Sequence, residues 1–212
     1  FYRGLGNFDL PVRVTAPSDA RVRIDNASSD DLSAVVVLRS TADGGALSVL
    51  GGLPAGRSLE AAIPAHLQSR ERFEAQAREA LTSAIVATGL YDDEAQAMVD
   101  TWTRSWFGNV GLRILYIVPR AWTDRLLPLR VTPEPSELVR TLVGRIEVMT
   151  PSLQSETWER IQTLGPSPTW EMMEALIDEL GRFAEPRIRQ ALAAHAASES
   201  ARWLLDAAHQ RP

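Results

Sequence analysis

The first quarter of the chain places apolar and polar residues in a pattern typical of β-strands. Residues 11–15 and 20–25 carry valine or isoleucine at every second position, between arginines, which is the period of a strand with one buried face. The apolar run within residues 33–40 predicts a central strand. Two more short strands follow, around a Gly-Gly pair and a Pro-Ala-Gly turn. Five short strands at this spacing predict a small antiparallel β-sandwich.

From His66 onward the apolar residues recur at intervals of three and four, as on helices with one buried face. Trp102 and Trp106 share such a face. The β-branched and aromatic run at residues 113–118 instead predicts a buried strand. The segments predicted to be helical are residues 66–88, a helix from Asp92 or Asp93 to about residue 106, residues 120–127, residues 136–149, and three helices beginning at prolines 151, 168 and 186, the last reaching residue 208.

These elements predict an α+β protein. Residues 1–64 form the β-rich, sandwich-like region, and residues 65–212 form the mainly helical region. We expect the segment 112–131 to supply one or two strands, inserted among the helices, that either complete the sheet or pair with sequence upstream of residue 1. We expect the two regions to share one core or to form two small domains, since 212 residues suffice for either arrangement.

Composition removes several classes of function. All 22 basic residues are arginine, which excludes lysine-dependent chemistry, and the absence of cysteine excludes disulfides, thiolate catalysis and cysteine-based zinc sites. A net charge of −5 argues against a non-specific nucleic-acid surface. The sequence contains no apolar run long enough for a transmembrane segment.

The sequence predicts no metal site and no cofactor. His66, His195 and His209 are far apart in the sequence, and none of them lies in a zinc-binding motif. The glycine pairs do not join a strand to a helix in the way that phosphate-binding loops require. No serine lies in a nucleophile motif.

Carboxylates remain as the candidate catalytic groups. Asp124, Glu134 and Glu147 lie in an apolar block, and two suitably separated carboxylates could hydrolyse a glycosidic bond. The competing interpretation is an arginine–carboxylate network that holds helices around one strand, because arginines are interleaved with these acids. This second interpretation is the one that we favour.

Two tryptophans and one arginine are the candidate binding residues. Trp122 and Trp170 lie near predicted helix starts, where we expect their rings to be partly exposed, and Arg120 lies beside the first of them. Trp102 and Trp106 are interpreted as core residues because they adjoin the apolar Met98 and Val99.

Three stretches resemble an uncharacterised family of predicted exported proteins from GC-rich, mainly proteobacterial genomes. They are FYRGLGNF, SWFGNVGLRILYIVPRAWTDRLLPL and LVRTLVGRIEVMTP, and the resemblance covers roughly residues 1–165. It implies a secreted, lipoprotein or periplasmic setting within a longer parent chain. It implies no activity and no functional residue.

The sequence therefore predicts a non-catalytic, extracytoplasmic interaction or scaffold module of a bacterial envelope protein. We expect a protein partner or self-association, with the last helix as one candidate docking element, and no nucleic-acid partner. The alternative is a carboxylate-dependent hydrolase acting on glycan or cell-wall material.

Overall fold

The computed structural model describes residues 10–195 and 199–210, apart from the side chain of Arg182. It divides the chain into two compact units, with the boundary between Val148 and Met149. The stretch FYRGLGNF, which contributes to the family resemblance, lies outside the described residues.

Two antiparallel sheets form the framework of the first unit. The small sheet has the strand order β1-β2-β5, and the large sheet has the order β6-β4-β3-β7-β8. The eight strands among the described residues are β1 (Val12–Ser18), β2 (Arg21–Asn26), β3 (Leu32–Ser40), β4 (Gly44–Leu53), β5 (Ser58–Ala62), β6 (Gln68–Ser69), β7 (Gly111–Ile117) and β8 (Val143–Val148).

The two sheets pack face to face around an apolar core. Alternation along each strand directs one set of side chains into this layer, as the sequence pattern predicts. The buried residues that the sheets contribute include Val12, Val22, Ile24, Ala61, Val35, Val37, Leu53, Leu112, Ile114, Tyr116 and Val148.

Helices cover the outer face of the large sheet. They are α1 (Arg70–Val86) and α2 (Asp92–Thr103), which continues into a π-helical turn over Arg104–Gly108. A second apolar layer joins these helices to the sheet, and its buried members include Val36, Leu38, Leu115, Ile117, Phe73, Leu81, Ile85, Val99, Trp106 and Phe107. A short helix, α3 (Arg120–Leu126), follows β7.

The α+β class is confirmed, and the later strands are inserted into the large sheet. Central strand β3 pairs with β4 on one side and with β7 on the other. The helices α1 and α2 therefore lie in the connection between two strands of one sheet. For this reason the composition change near Pro64 marks the end of β5 and does not coincide with the boundary between the two units.

The predicted helix over residues 136–149 is wrong, because residues 143–148 form strand β8. β8 pairs along its whole length with β7, from Ile117 opposite Val143 to Leu112 opposite Val148. The apolar residues of this segment satisfy both a helical and an alternating pattern. The strand is favoured because it satisfies the main-chain groups on the open side of buried β7.

In the described part of the second unit there are four α-helices, α4 (Pro151–Gln162), α5 (Trp170–Leu180), α6 (Ala184–Ala194) and α7 (Glu199–His209). The predicted single helix from residue 186 to 208 is therefore wrong. His195 has extended backbone angles and ends α6, so that α6 and α7 are separate helices that contribute to the same apolar core. Among the described residues, no helix is both long and apolar enough to cross a membrane.

Tyr116 and Gly144 are an interdependent pair on β7 and β8. A Cβ atom on Gly144 would lie 2.3 Å from the Tyr116 Cζ atom, so the glycine leaves the space that the ring occupies. The Tyr116 side chain is buried, and its hydroxyl has no hydrogen-bond partner among the described residues. Burial raises the pKa of Tyr116 to about 12, because the charged phenolate would be poorly solvated there.

We predict that Tyr116→Phe stabilises the first unit by roughly 1 kcal/mol at pH 7, because it removes a buried hydroxyl that lacks a partner. The unfolded state loses the tyrosine proton near pH 10, whereas the folded state keeps it until about pH 12. The wild type should therefore lose stability as the pH rises from 10 to 12, on the order of 1 kcal/mol per pH unit from this residue.

Urea denaturation of the wild type and of Tyr116→Phe at pH 7 and pH 11 measures both effects. The advantage of the variant should be larger at pH 11. Tyr91→Phe is the matched control, since its ring is exposed, and at pH 7 it should change stability by less than about 0.5 kcal/mol. A substantial loss of stability in Tyr116→Phe at pH 7 would mean that the hydroxyl does have a partner.

Candidate functional site

Glu147 lies between two arginines on the helix-covered face of the large sheet. The Arg113 Nε atom is 3.0 Å from Glu147 Oε1, and the Arg145 Nε atom is 2.7 Å from the same oxygen. The Arg113 side chain is fully buried, and those of Arg145 and Glu147 are each 13% exposed. Removing a carboxylate from such a site would leave a buried positive charge without its counter-ion.

The same two arginines also bind the end of the α2 helical segment. The two terminal nitrogens of Arg113 donate to the carbonyls of Trp106 and Asn109, each over 2.7 Å. Arg145 donates to the carbonyl and the hydroxyl of Ser105, each over 2.6 Å. The last carbonyls of a helix lack partners within the helix and carry its negative dipole end, so cationic donors stabilise them.

A third arginine completes this cap from the start of α1. Arg70 donates to the Phe107 carbonyl over 2.9 Å, and the Ser40 hydroxyl of β3 donates to the same carbonyl over 2.7 Å. The cluster therefore holds the helical segment against the sheet. Glu147 acts in it as a counter-ion for arginines, which is a structural arrangement and differs from that of a general acid.

The Asp124 carboxylate is likewise paired with two arginines. Its carboxylate accepts a hydrogen bond from Arg120 Nε over 2.6 Å and one from Arg140 over 2.9 Å. The hydrogen bond and charge of Arg120, reinforced by Arg140, hold the pKa of Asp124 below its ordinary value. A general acid requires the opposite shift.

The other predicted site residues do not join these two clusters. Glu134 is exposed in the segment between α3 and β8. Trp122 is 5% exposed and belongs to the core between the sheets, where it is unavailable to a ligand on the surface. Trp170 is 50% exposed and begins α5 in the second unit.

The predicted arginine–carboxylate network is therefore confirmed for Asp124 and Glu147, and its main-chain partners are the part that the sequence did not indicate. The carbonyls of Ser105, Trp106 and Phe107 leave no signature in the sequence, because every residue has such a group. The one available signal was a single arginine within each of two apolar segments, Arg113 in residues 111–117 and Arg145 in residues 143–148.

The described residues contain no group of three or more histidine, cysteine or acidic side chains that could hold a metal ion. A comparison of the chain with protein-family models found no match, and comparisons with curated proteins and with solved structures found none either.

We predict that Glu147→Gln destabilises the first unit by roughly 3–5 kcal/mol, because it leaves fully buried Arg113 without its counter-ion. Urea denaturation measures the loss. Glu60→Gln is the matched control: Glu60 pairs with Arg21 and Arg23 at 3.8 and 3.7 Å with 48% of its side chain exposed, so its loss should stay below about 1 kcal/mol. Equal losses in the two variants would contradict a structural role specific to Glu147.

Proposed function

We propose that the protein is a non-catalytic interaction module of a bacterial envelope protein, and that the segment 127–142 is its docking surface. We call this segment the α3–β8 arm. The observation that carries the proposal is that the arm presents apolar side chains to solvent while its ends are fixed to the fold.

The arm combines exposed apolar residues with stiffening prolines. Leu129, Val131 and Leu138 are 47%, 45% and 39% exposed. Prolines at positions 128, 133 and 135 restrict the backbone between them. A long irregular segment in a compact unit is commonly a binding element, and restricting its conformations lowers the entropy that binding costs.

The Asp124 cluster fixes the arm to α3. Arg120 donates to the Leu138 carbonyl over 2.7 Å, and Arg140 bonds Asp124 on α3. Further along, the Val118 amide donates to the Leu142 carbonyl over 2.9 Å, and the hydroxyl of Thr141 is hydrogen-bonded to that of Thr88. The sequence suggested Arg120 as a ligand-binding residue and Asp124 as a catalytic one. In this proposal both residues anchor the α3–β8 arm and do not contact the partner themselves.

The hydrolase alternative has no specific observation in its favour. Asp124 and Glu147 each pair with two arginines, and Glu134 is exposed. The envelope setting rests on the family resemblance and on the cysteine-free composition.

The test is site-specific photo-crosslinking in an envelope extract of the source bacterium, with a crosslinking amino acid at Leu129 or at Val110. Val110 is the matched control because it is 61% exposed and lies outside the arm. We expect a discrete protein adduct from position 129 and not from position 110. Asp124→Asn should reduce its yield several-fold, because it weakens the anchor of the arm without touching Leu129.

Identical adducts from both positions would contradict a docking role for the arm. An adduct whose yield is unchanged in Asp124→Asn would contradict the anchoring argument. Hydrolysis of a polysaccharide panel by the wild type, lost in an Asp124→Asn variant whose urea midpoint is unchanged, would favour the alternative function.

A further inference from the structure

As far as the described residues show, strand β4 has one edge that is open along most of its length. On one side it pairs with β3 over most of its length, and on the other side β6 covers only Gly44 and Gly45 among the described residues. β6 approaches closely there, since a Cβ atom on Gly44 would lie 1.9 Å from the Gln68 carbonyl oxygen. β6 pairs with β4 no further than Gly45, whereas β4 continues to Leu53.

The main-chain groups of Leu47 and Val49 face this open edge. The Thr41 amide donates to the Gly44 carbonyl, so these two residues form a hydrogen-bonded pair. Along the ladder from there, Gly45 lies opposite Ser40, Ala46 opposite Arg39 and Ser48 opposite Val37. Hydrogen-bonded pairs alternate along an antiparallel ladder, so Ala46 and Ser48 bond β3. Gly45, Leu47 and Val49 consequently point the other way, and β6 occupies only the first of these three.

The open edge lacks the usual protection against pairing. Residues 46–50 read ALSVL, with no charged residue and no proline, although lysine, proline and inward charges are the common guards of edge strands. Val49 is 57% exposed. Besides the short cover by β6, a bulge at Leu50 protects the edge: this residue has no partner opposite it on β3, and the bulge limits the straight part of the edge.

We propose that a second copy of this chain pairs with this edge, β4 against β4 in antiparallel orientation, about a twofold axis at Ser48. In that register Leu47 of each copy lies opposite Val49 of the other. Because these are the two residues whose main-chain groups face outward, each pair can form two hydrogen bonds, and the two five-stranded sheets become one continuous sheet.

The stretch that stays open is short, uncharged and able to pair with itself, and these features favour a second copy as the occupant. The outward residues lie symmetrically on either side of Ser48, so one twofold operation satisfies both of them, as an isologous interface requires. The side chains that meet are apolar or hydroxyl-bearing, and no like charges face each other across the seam. β6 and the bulge restrict the pairing to residues 46–50, so we expect a weak dimer with a Kd of roughly 10–100 µM.

Sedimentation equilibrium of the full chain over a wide concentration range tests the proposal. Val49→Lys places ammonium groups near the seam and should weaken dimerisation at least tenfold. The control Val110→Lys makes the same change at an equally exposed valine away from the edge and should leave the dimer unchanged. Unaltered urea midpoints for both variants would exclude unfolding as the cause.

A crosslink tests the register independently. The chain has no cysteine, so Ser48→Cys introduces a single thiol on the twofold axis. There the two residues form a non-hydrogen-bonded pair with a Cα separation of about 4.5 Å, which is within disulfide range. Oxidation should produce a disulfide-linked dimer from Ser48→Cys and much less from Val110→Cys.

A wild type that stays monomeric into the millimolar range would overturn the proposal. A dimer weakened equally by Val49→Lys and Val110→Lys would overturn it as well. Equal crosslinking of the two cysteine variants would overturn the register.

Discussion

The last carbonyls of the α2 helical segment have no partners within the helix, and arginines from other elements supply them. Arg113 and Arg145 reach these carbonyls from two neighbouring strands, and Arg70 reaches them from α1. An uncapped helix end buried against a sheet would leave several polar groups desolvated. The helical layer can therefore lie on the sheet because β7 and β8 are neighbours beneath it, with Glu147 offsetting part of the positive charge of their arginines.

This dependence explains which elements could be predicted from the sequence. β3 and β7 are recognisable because both faces of each strand are buried, which demands a nearly continuous apolar run. β8 is different, since one of its faces carries Val143, Arg145 and Glu147 and its apolar spacing also fits a helix. Its conformation is decided by β7 and by the helix end, both of which are distant in sequence, so local pattern alone could not identify it.

The ion pairs of the candidate site could be predicted from the sequence, but their structural roles could not. Interleaved arginines and acids indicated a structural network, and the ion pairs of Asp124 and Glu147 confirm it. The sequence could not indicate that one cluster caps a helix and the other fixes the α3–β8 arm, because the acceptors include main-chain carbonyls. The prediction that Trp122 is partly exposed, which rested on its place near a helix start, is wrong for the same reason. α3 packs the indole of Trp122 into the core between the sheets.

The use of arginine as the sole basic residue matters physically at position 113. Arg113 places Nε 3.0 Å from the Glu147 carboxylate as an ion pair, and its two terminal nitrogens donate to two different carbonyls. A planar guanidinium can pair with a carboxylate and still direct donors to two carbonyls, whereas a lysine ammonium is a single, more strongly hydrated point charge. Arginine side chains also stay protonated in proteins. The joint between sheet and helices thus depends on geometry that lysine could not reproduce at this position.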